Sequence, residues 1–294
     1  MMNLIRVALS TMAISSVLAD QRADDEVKEL VNMTSFGLND TYKMYSGMLD
    51  ITTSANKSLH YIFVESQNDK TNDPTILWFN GGPGCSSMLA FMQEHGPWVM
   101  DDGEETFHEN PYSWNTNANV LYIEMPAGVG FSYCNTTLDD CTYYDNNTAT
   151  ENLVALNEWF DRFPDFKTND LYLSGESYAG VYVPFLLNEI HDYNQNHTDD
   201  AINLKGMMVG NGCTNWTYDA LPGTVDMGYW RSLYSQDTYD NIQKEQCEYA
   251  GVEFNDNPSE SCMGYLDEVN NAIAGLNIYN IYGKCYGGAP TEEQ

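Results

Sequence analysis

The stretch Leu171-Tyr172-Leu173-Ser174-Gly175-Glu176-Ser177-Tyr178-Ala179-Gly180 constrains this chain most, because its backbone requirement and its chemistry coincide. The apolar run Leu171 to Leu173 reads as a strand end and the run Tyr178 to Ile190 as a helix. Gly-Glu-Ser-Tyr-Ala-Gly joins them with a serine at the apex. A strand that turns directly into a helix strains its apex residue, so small neighbours must let the two backbones pass; Gly175 and Ala179 meet that need. This is the G-x-S-x-A/G pattern of a nucleophile elbow. The hydroxyl projects from the carboxyl edge of a sheet, at the amino end of a helix whose N–H groups stabilise an oxyanion. The same five-residue pattern also occurs around serines that merely occupy a tight turn, so the rest of the chain has to decide.

Elsewhere, buried strands alternate with helices. Met44–Leu49 and Leu59–Glu65 read as an amino-terminal hairpin. Thr75–Phe79 is a continuous apolar run between Pro74 and the glycines Gly81, Gly82 and Gly84, as in a strand buried on both faces. A helix is predicted from Ser87 to Glu94. Val120–Ile123 is the next buried strand and runs into the glycine-rich loop Met125–Gly130. Thr148–Phe163 is predicted helical, with Leu153, Leu156, Trp159 and Phe160 as a core-facing stripe closed by Pro164. Leu204–Val209 is a further strand, followed by Gly210-Asn211-Gly212. Asp20–Leu30 is charged and is predicted to lie outside the core.

This alternation places the chain in the α/β class, with a mostly parallel sheet covered by helices on both faces. Ligands of such sheets bind outside the carboxyl ends of the strands, where the loops after Phe79, Ile123, Leu173 and Val209 gather. From about Asn215 the chain becomes rich in Tyr, Asn, Asp and Gly and shows helical patterns without another buried strand. The core is therefore assigned to residues 20–214, and residues 215–294 are read as an insertion or cap.

The amino end bounds the compartment. One positive charge in Met1–Arg6, an apolar stretch from Val7 to Leu18 and small residues before Asp20 read as a secretory signal peptide over residues 1–19, too short to span a membrane. N-x-S/T sequons at Asn32, Asn39, Asn56, Asn135, Asn146, Asn196 and Asn215 point the same way and predict N-glycans. In an oxidising compartment the seven cysteines are read as disulfide partners rather than metal ligands. Forty-three acidic against twelve basic residues give a formal charge of −31, which makes nucleic acid and anionic membranes poor partners. The acidity fits a solvated surface and equally permits an acidic lumen.

Trp78-Phe79-Asn80-Gly81-Gly82-Pro83-Gly84-Cys85-Ser86-Ser87, together with Gly175–Gly180, resembles the serine carboxypeptidase family, α/β-hydrolase-fold enzymes of vacuoles, lysosomes and secretions. The resemblance continues through Glu94-His95-Gly96-Pro97, Asn110–Asn115, Asn119–Glu124, Gly128–Tyr133, Gly210-Asn211-Gly212 and Asn277–Tyr282. It implies that Ser177 is the nucleophile and that the backbone N–H groups of Gly82 and Tyr178 form the oxyanion hole. It also implies that Asn80, the Gly81 backbone, Glu94 and Glu176, with Trp78 nearby, hold the terminal carboxylate of a peptide substrate. Read without it, Glu176 is an exposed elbow residue and Glu94 a helix-end acid. Holding an anion with glutamates requires a proton shared among the carboxyl groups, so acidic-pH exopeptidase activity through an acyl-enzyme follows. No metal or other cofactor is implied.

An α/β-hydrolase triad follows the order Ser, then Asp or Glu, then His. The histidines after Ser177 are His191 and His197, at or just beyond the end of the elbow helix. His60, His95 and His108 precede the serine. None is read as the general base. The family places its Asp and His on later strands, which predicts a chain lacking the last sheet strands. In the family Cys85 pairs with a distant downstream cysteine, and Cys285 is expected to lack its partner. Cys247 with Cys262 and Cys134 with Cys141 are taken as internal pairs, and Cys213 has no assignment. An acyltransferase or esterase on the same scaffold, and an inactive secreted peptide-binding glycoprotein, stay open as alternatives.

Overall fold

The computed structural model describes residues 21–28, 42–52, 56–100, 106–137, 141–216, 218–219, 221–247 and 258–283. The signal-peptide assignment, the sequons at Asn32 and Asn39, and Cys285 lie outside the described residues. The chain divides into two compact units, residues 1–212 and 213–294.

In the first unit the strands are β1 (Met44–Asp50), β2 (Lys57–Val64), β3 (Thr75–Phe79), β4 (Trp98–Val99), β5 (His108–Glu109), β6 (Asn119–Ile123), β7 (Tyr133–Cys134), β8 (Leu171–Glu176) and β9 (Leu204–Gly210). The helices are α1 (Asp145–Arg162) and α2 (Ala179–Asn196). The main sheet has the order β1-β2-β6-β3-β8-β9, with β7 paired to β2, while β4 and β5 form a separate ribbon. β6, β3, β8 and β9 run parallel, and the amino-terminal hairpin β1-β2 joins them antiparallel through β2 and β6.

Alternation along the strands sorts the core into two layers, because successive side chains leave opposite faces of a strand. Leu77 and Phe79 of β3, with Leu121 and Ile123 of β6, face Trp159 of α1 and Val183 and Leu186 of α2. Ile76, Trp78, Val120 and Tyr122 face the other way, onto Met88, Ala90 and Trp98. Trp159 and Phe163 are fully buried among Phe63 and Phe166, with ring centroids 4.8–5.3 Å apart.

One local expectation needs correction, and the helix expected from Ser87 to Glu94 is present in a wider form. Residues 21–28 are not outside the core: the Asp25 carboxylate accepts from Arg162 Nη1 at 2.7 Å and from the Tyr61 hydroxyl at 2.8 Å, and Glu26 bridges to Tyr45. The acids read as solvated because their buried partner, Arg162, is far away in sequence. Between Ala90 and Glu94 the chain makes a wide helical turn, in which the His95 N–H reaches back to the Ala90 carbonyl at 3.0 Å. Just beyond the turn, Gly96 packs directly on the Phe91 carbonyl with no room for a Cβ.

The second unit contains α3 (Leu221–Trp230), α4 (Gln236–Glu245) and α5 (Glu260–Ile273). Val225, Ile242, Leu266 and Val269 pack around the Cys247–Cys262 disulfide. With Cys134–Cys141 in the first unit, this makes two internal disulfides of the expected pairing. No described helix is long and apolar enough to cross a membrane.

Candidate active site

β8 runs to Glu176, and Ser177 then adopts a left-handed backbone with φ of 73°. For a side chain other than glycine this costs about 1–3 kcal/mol, and it persists because the neighbours determine it. The Ser177 N–H donates to the Gly210 carbonyl at 3.1 Å, and the Ser177 carbonyl accepts from the Gly180 N–H at 2.9 Å. Position 175 must be glycine, since a Cβ there would stand 2.5 Å from Ala179 Cβ and 2.6 Å from the Phe79 carbonyl oxygen. The half-buried Ser177 hydroxyl thus sits at the carboxyl edge of the sheet, at the amino end of α2.

The loop after β3 lies against this elbow. A Cβ on Gly81 would be 2.8 Å from Ser177 Cβ and 2.7 Å from the Glu176 carbonyl oxygen, so only glycine allows the approach. Gly82 and Gly84 have φ of 114° and 86°, and the turn is closed by the Cys85 N–H donating to the Gly81 carbonyl at 3.0 Å. Beyond the turn, Ser87 Oγ donates to the Ile123 carbonyl at 2.7 Å, and Ser86 Oγ donates to the Glu124 carboxylate. Glu124 also accepts from the Phe131 N–H at 2.9 Å and pairs with His60 Nδ1 at 2.8 Å. Burial opposes its charge, but hydrogen bonds from His60, Ser86 and Phe131 win and hold its carboxyl below the usual range.

On the Trp78 face of β3 a polar ladder runs outward from the core. The buried Trp78 indole N–H donates to Asn80 Oδ1 at 3.0 Å, the Ala90 N–H donates to the same oxygen at 3.2 Å, and Asn80 Nδ2 donates to Glu94 Oε1 at 2.9 Å. Partial burial raises the Glu94 carboxyl above its ordinary value and the nearby charge of Glu176 raises it further, against the lowering effect of the Asn80 amide. Trp78, Asn80 and Glu94 are therefore one hydrogen-bonded chain, electrostatically coupled to Glu176, the residue before Ser177.

Four of the histidines have other partners. His60 is bracketed by Glu124 and by Ser46 Oγ at 2.9 Å. His95 stacks on Trp114 with centroids 4.1 Å apart and meets the Tyr122 hydroxyl at 3.1 Å; burial pushes it down to about 4. His191 is exposed beside Gln195, and His197 Nδ1 donates to the Tyr193 carbonyl at 2.9 Å. His108 is exposed on β5. Among the described residues, the side chains able to converge on a metal ion are Glu245, Cys247 and Cys262, and these two cysteines are joined as a disulfide.

Asp145 and Tyr182 also lie beside the elbow and were not singled out from the sequence. Tyr182 carried a readable signal, since it lies one helical turn after Tyr178. A cavity of about 390 Å³ beside the elbow is lined by Gly84, Pro126, Tyr144, Asp145, Tyr178 and Tyr182.

The family model of serine carboxypeptidases matches residues 36–294. This chain belongs to the serine carboxypeptidase family. It is 40% identical over 291 residues to the lysosomal protective protein of Mus musculus, covering 98% of the chain and 57% of that relative. It is 38% identical over 294 residues to serine carboxypeptidase-like 21 of Arabidopsis thaliana, covering 97% of the chain and 58% of that relative. The chain thus spans less than three-fifths of the length of these relatives. The fold is that of the crystal structure of Kex1(delta)p, a prohormone-processing carboxypeptidase from Saccharomyces cerevisiae. The TM-score is 0.69 at 24% identity, over 84% of this chain and 59% of that one. The chain accordingly has the α/β-hydrolase architecture, with the turn at Ser177 and the glycine-rich loop at the carboxyl edge of the sheet.

Proposed function

We propose that this chain carries the nucleophile and the carboxylate-binding part of an exopeptidase site that releases carboxyl-terminal residues from peptides. Ser177 Oγ attacks the carbonyl carbon of the last peptide bond and gives its proton to a general base. The carbonyl electron pair moves to oxygen, where the N–H groups of Gly82 and Tyr178 receive it. Collapse breaks the C–N bond, the amine leaves with the proton, and the acyl ester on Ser177 is hydrolysed by water. No histidine of this chain is assigned to the base, since His60, His95, His191 and His197 are held elsewhere and His108 lies on the β4-β5 ribbon.

The observation that carries the reading is the Trp78–Asn80–Glu94 ladder coupled to Glu176, one residue from the serine. Paired acids hold a carboxylate only while a proton remains among them, and a raised Glu94 keeps that proton to higher pH. The Gly81 backbone completes the receptor. The amino-terminal apolar stretch, the sequons and the disulfides support passage through the secretory pathway. The lysosomal relative fits an acidic compartment, lysosomal or vacuolar.

The test is hydrolysis of a blocked dipeptide at acidic pH by this chain and by any longer product of its gene. Turnover should require Ser177 and should be confined to the longer product. Turnover that survives Ser177→Ala sinks the assignment of the nucleophile.

A further inference from the structure

An oxyanion hole built from Gly82 and Tyr178 draws its two donors from different elements, a loop after β3 and the first residue before α2. The N–H groups must sit within about half an ångström of a productive geometry, yet the loop is exposed from Gly82 to Cys85 and has two glycines at positive φ. Such a segment has many accessible conformations in isolation. What holds its apex is therefore a functional question.

The apex is tied to α2. The Gly84 N–H donates to the Tyr182 hydroxyl oxygen at 3.1 Å, across 98 residues of sequence. Tyr182 is almost fully buried, one helical turn after Tyr178, and the two rings meet edge to face with centroids 5.1 Å apart. The Tyr178 hydroxyl in turn donates to Asp145 Oδ1 at 3.2 Å. Asp145 sits in the first turn of α1, where the helix dipole favours a negative charge. Tyr178, at the N-cap of α2, thus carries one donor, and Tyr182, one turn on, the hydroxyl that fastens the loop bearing the other.

We propose that Tyr182 and Asp145 are positioning residues of the oxyanion hole: Tyr182 sets the glycine loop against α2 through Gly84, and Asp145 fixes Tyr178 through its phenol. The proposal rests on the roles given above to Ser177, Gly82 and Tyr178. Neither positioning residue touches the substrate; each acts on where an N–H points. Removing the Tyr182 oxygen leaves the ring packing in place and releases the loop apex to water. The cost falls on the tetrahedral state, in which negative charge develops on oxygen, rather than on ground-state binding.

The experiment compares two ligands of the same peptide sequence, one ending in a boronic acid that adds to the serine as a tetrahedral adduct, the other in a carboxylic acid. In Tyr182→Phe the boronate affinity should fall about tenfold while the carboxylate affinity and the melting temperature stay put. Amide exchange at Gly84, slowed in the parent, should accelerate by a similar factor. Asp145→Ala should show the same selective loss, and Asp145→Asn, which still accepts from the Tyr178 hydroxyl, should recover most of it. Unchanged boronate affinity in Tyr182→Phe, an equal fall for both ligands, or a fast Gly84 amide in the parent overturns the proposal. Ser177→Ala separates the two levels. If it abolishes boronate preference while Tyr182→Phe does not alter it, the nucleophile stands and the positioning role fails. If it keeps that preference, the nucleophile reading fails and this proposal falls with it.

Discussion

At the scale of single residues, the site turns on how two carboxyl groups behave near each other. Burial and the charge of Glu176 both push the Glu94 carboxyl up, while the Asn80 amide opposes them. In the window between the ordinary carboxylate value and the raised one, the folded protein holds a proton that the unfolded chain releases. Stability therefore falls as pH rises through that window, and the proposed hold on a substrate carboxylate should weaken with it. Replacing Glu176 by Gln removes the repulsion. It also removes a carboxyl group that can carry the shared proton, so peptides with a free carboxyl end should bind less tightly at acidic pH, where the parent prefers them, with the difference shrinking as pH rises, while neutral amide or ester analogues bind as before; equal loss for both would argue against the proposed carboxylate-holding role of Glu176. Gly81→Ala tests the packing of the loop on the elbow. Its Cβ has no space between Ser177 and the Glu176 carbonyl, so denaturant titration should show a loss of about 1–3 kcal/mol.

At the scale of elements, legibility followed how locally each element is determined. β3 is bounded by Pro74 and a glycine-rich loop, and its sequence limits coincide with the structure at Thr75 and Phe79. α1 begins at Asp145, three residues before the predicted Thr148, because its first turn is polar and carries no apolar periodicity. α2 continues past Ile190 to Asn196 for the same reason: its last turn is exposed and held by local bonds, such as Asn196 Nδ2 donating to the Asp192 carbonyl at 2.8 Å. The ladder Trp78–Asn80–Glu94 could be named from the family resemblance. The bond from the Gly84 N–H to the Tyr182 hydroxyl could not, because it joins residues 98 apart and Tyr182 lies outside the motifs. The layer between the sheet and α1 depends on one side chain above others. Trp159→Ala should cost about 3–5 kcal/mol, read as a shift of the urea midpoint, since Trp159 is fully buried among Phe63, Phe163 and Phe166.

At the scale of the whole molecule, the two units owe their stability to different sources. The first has a large aromatic and aliphatic core, fastened by the buried Arg162–Asp25 pair at 2.7 Å. The small cluster of α3, α4 and α5 has the Cys247–Cys262 crosslink, which closes a separation of 15 residues and is worth about 3 kcal/mol. Reduction should therefore raise amide exchange at Val225, Ile242 and Leu266 far more than at Leu77 or Leu121. Uniform acceleration across both sets would contradict this division. The relatives extend well beyond the portion this chain matches, so binding and turnover are separate properties to test on it. In the function proposed above, Asn80, Glu94 and Glu176 form a proton-dependent receptor for a peptide carboxylate beside Ser177. The most direct measurement is calorimetric titration of this chain with one peptide in its free-acid and amide forms, at pH 4.5 and at pH 7.5. We predict roughly tenfold tighter binding of the free acid at the lower pH, a preference that disappears at the higher pH and in Glu94→Gln. Equal affinity for the acid and the amide at pH 4.5 would contradict the account.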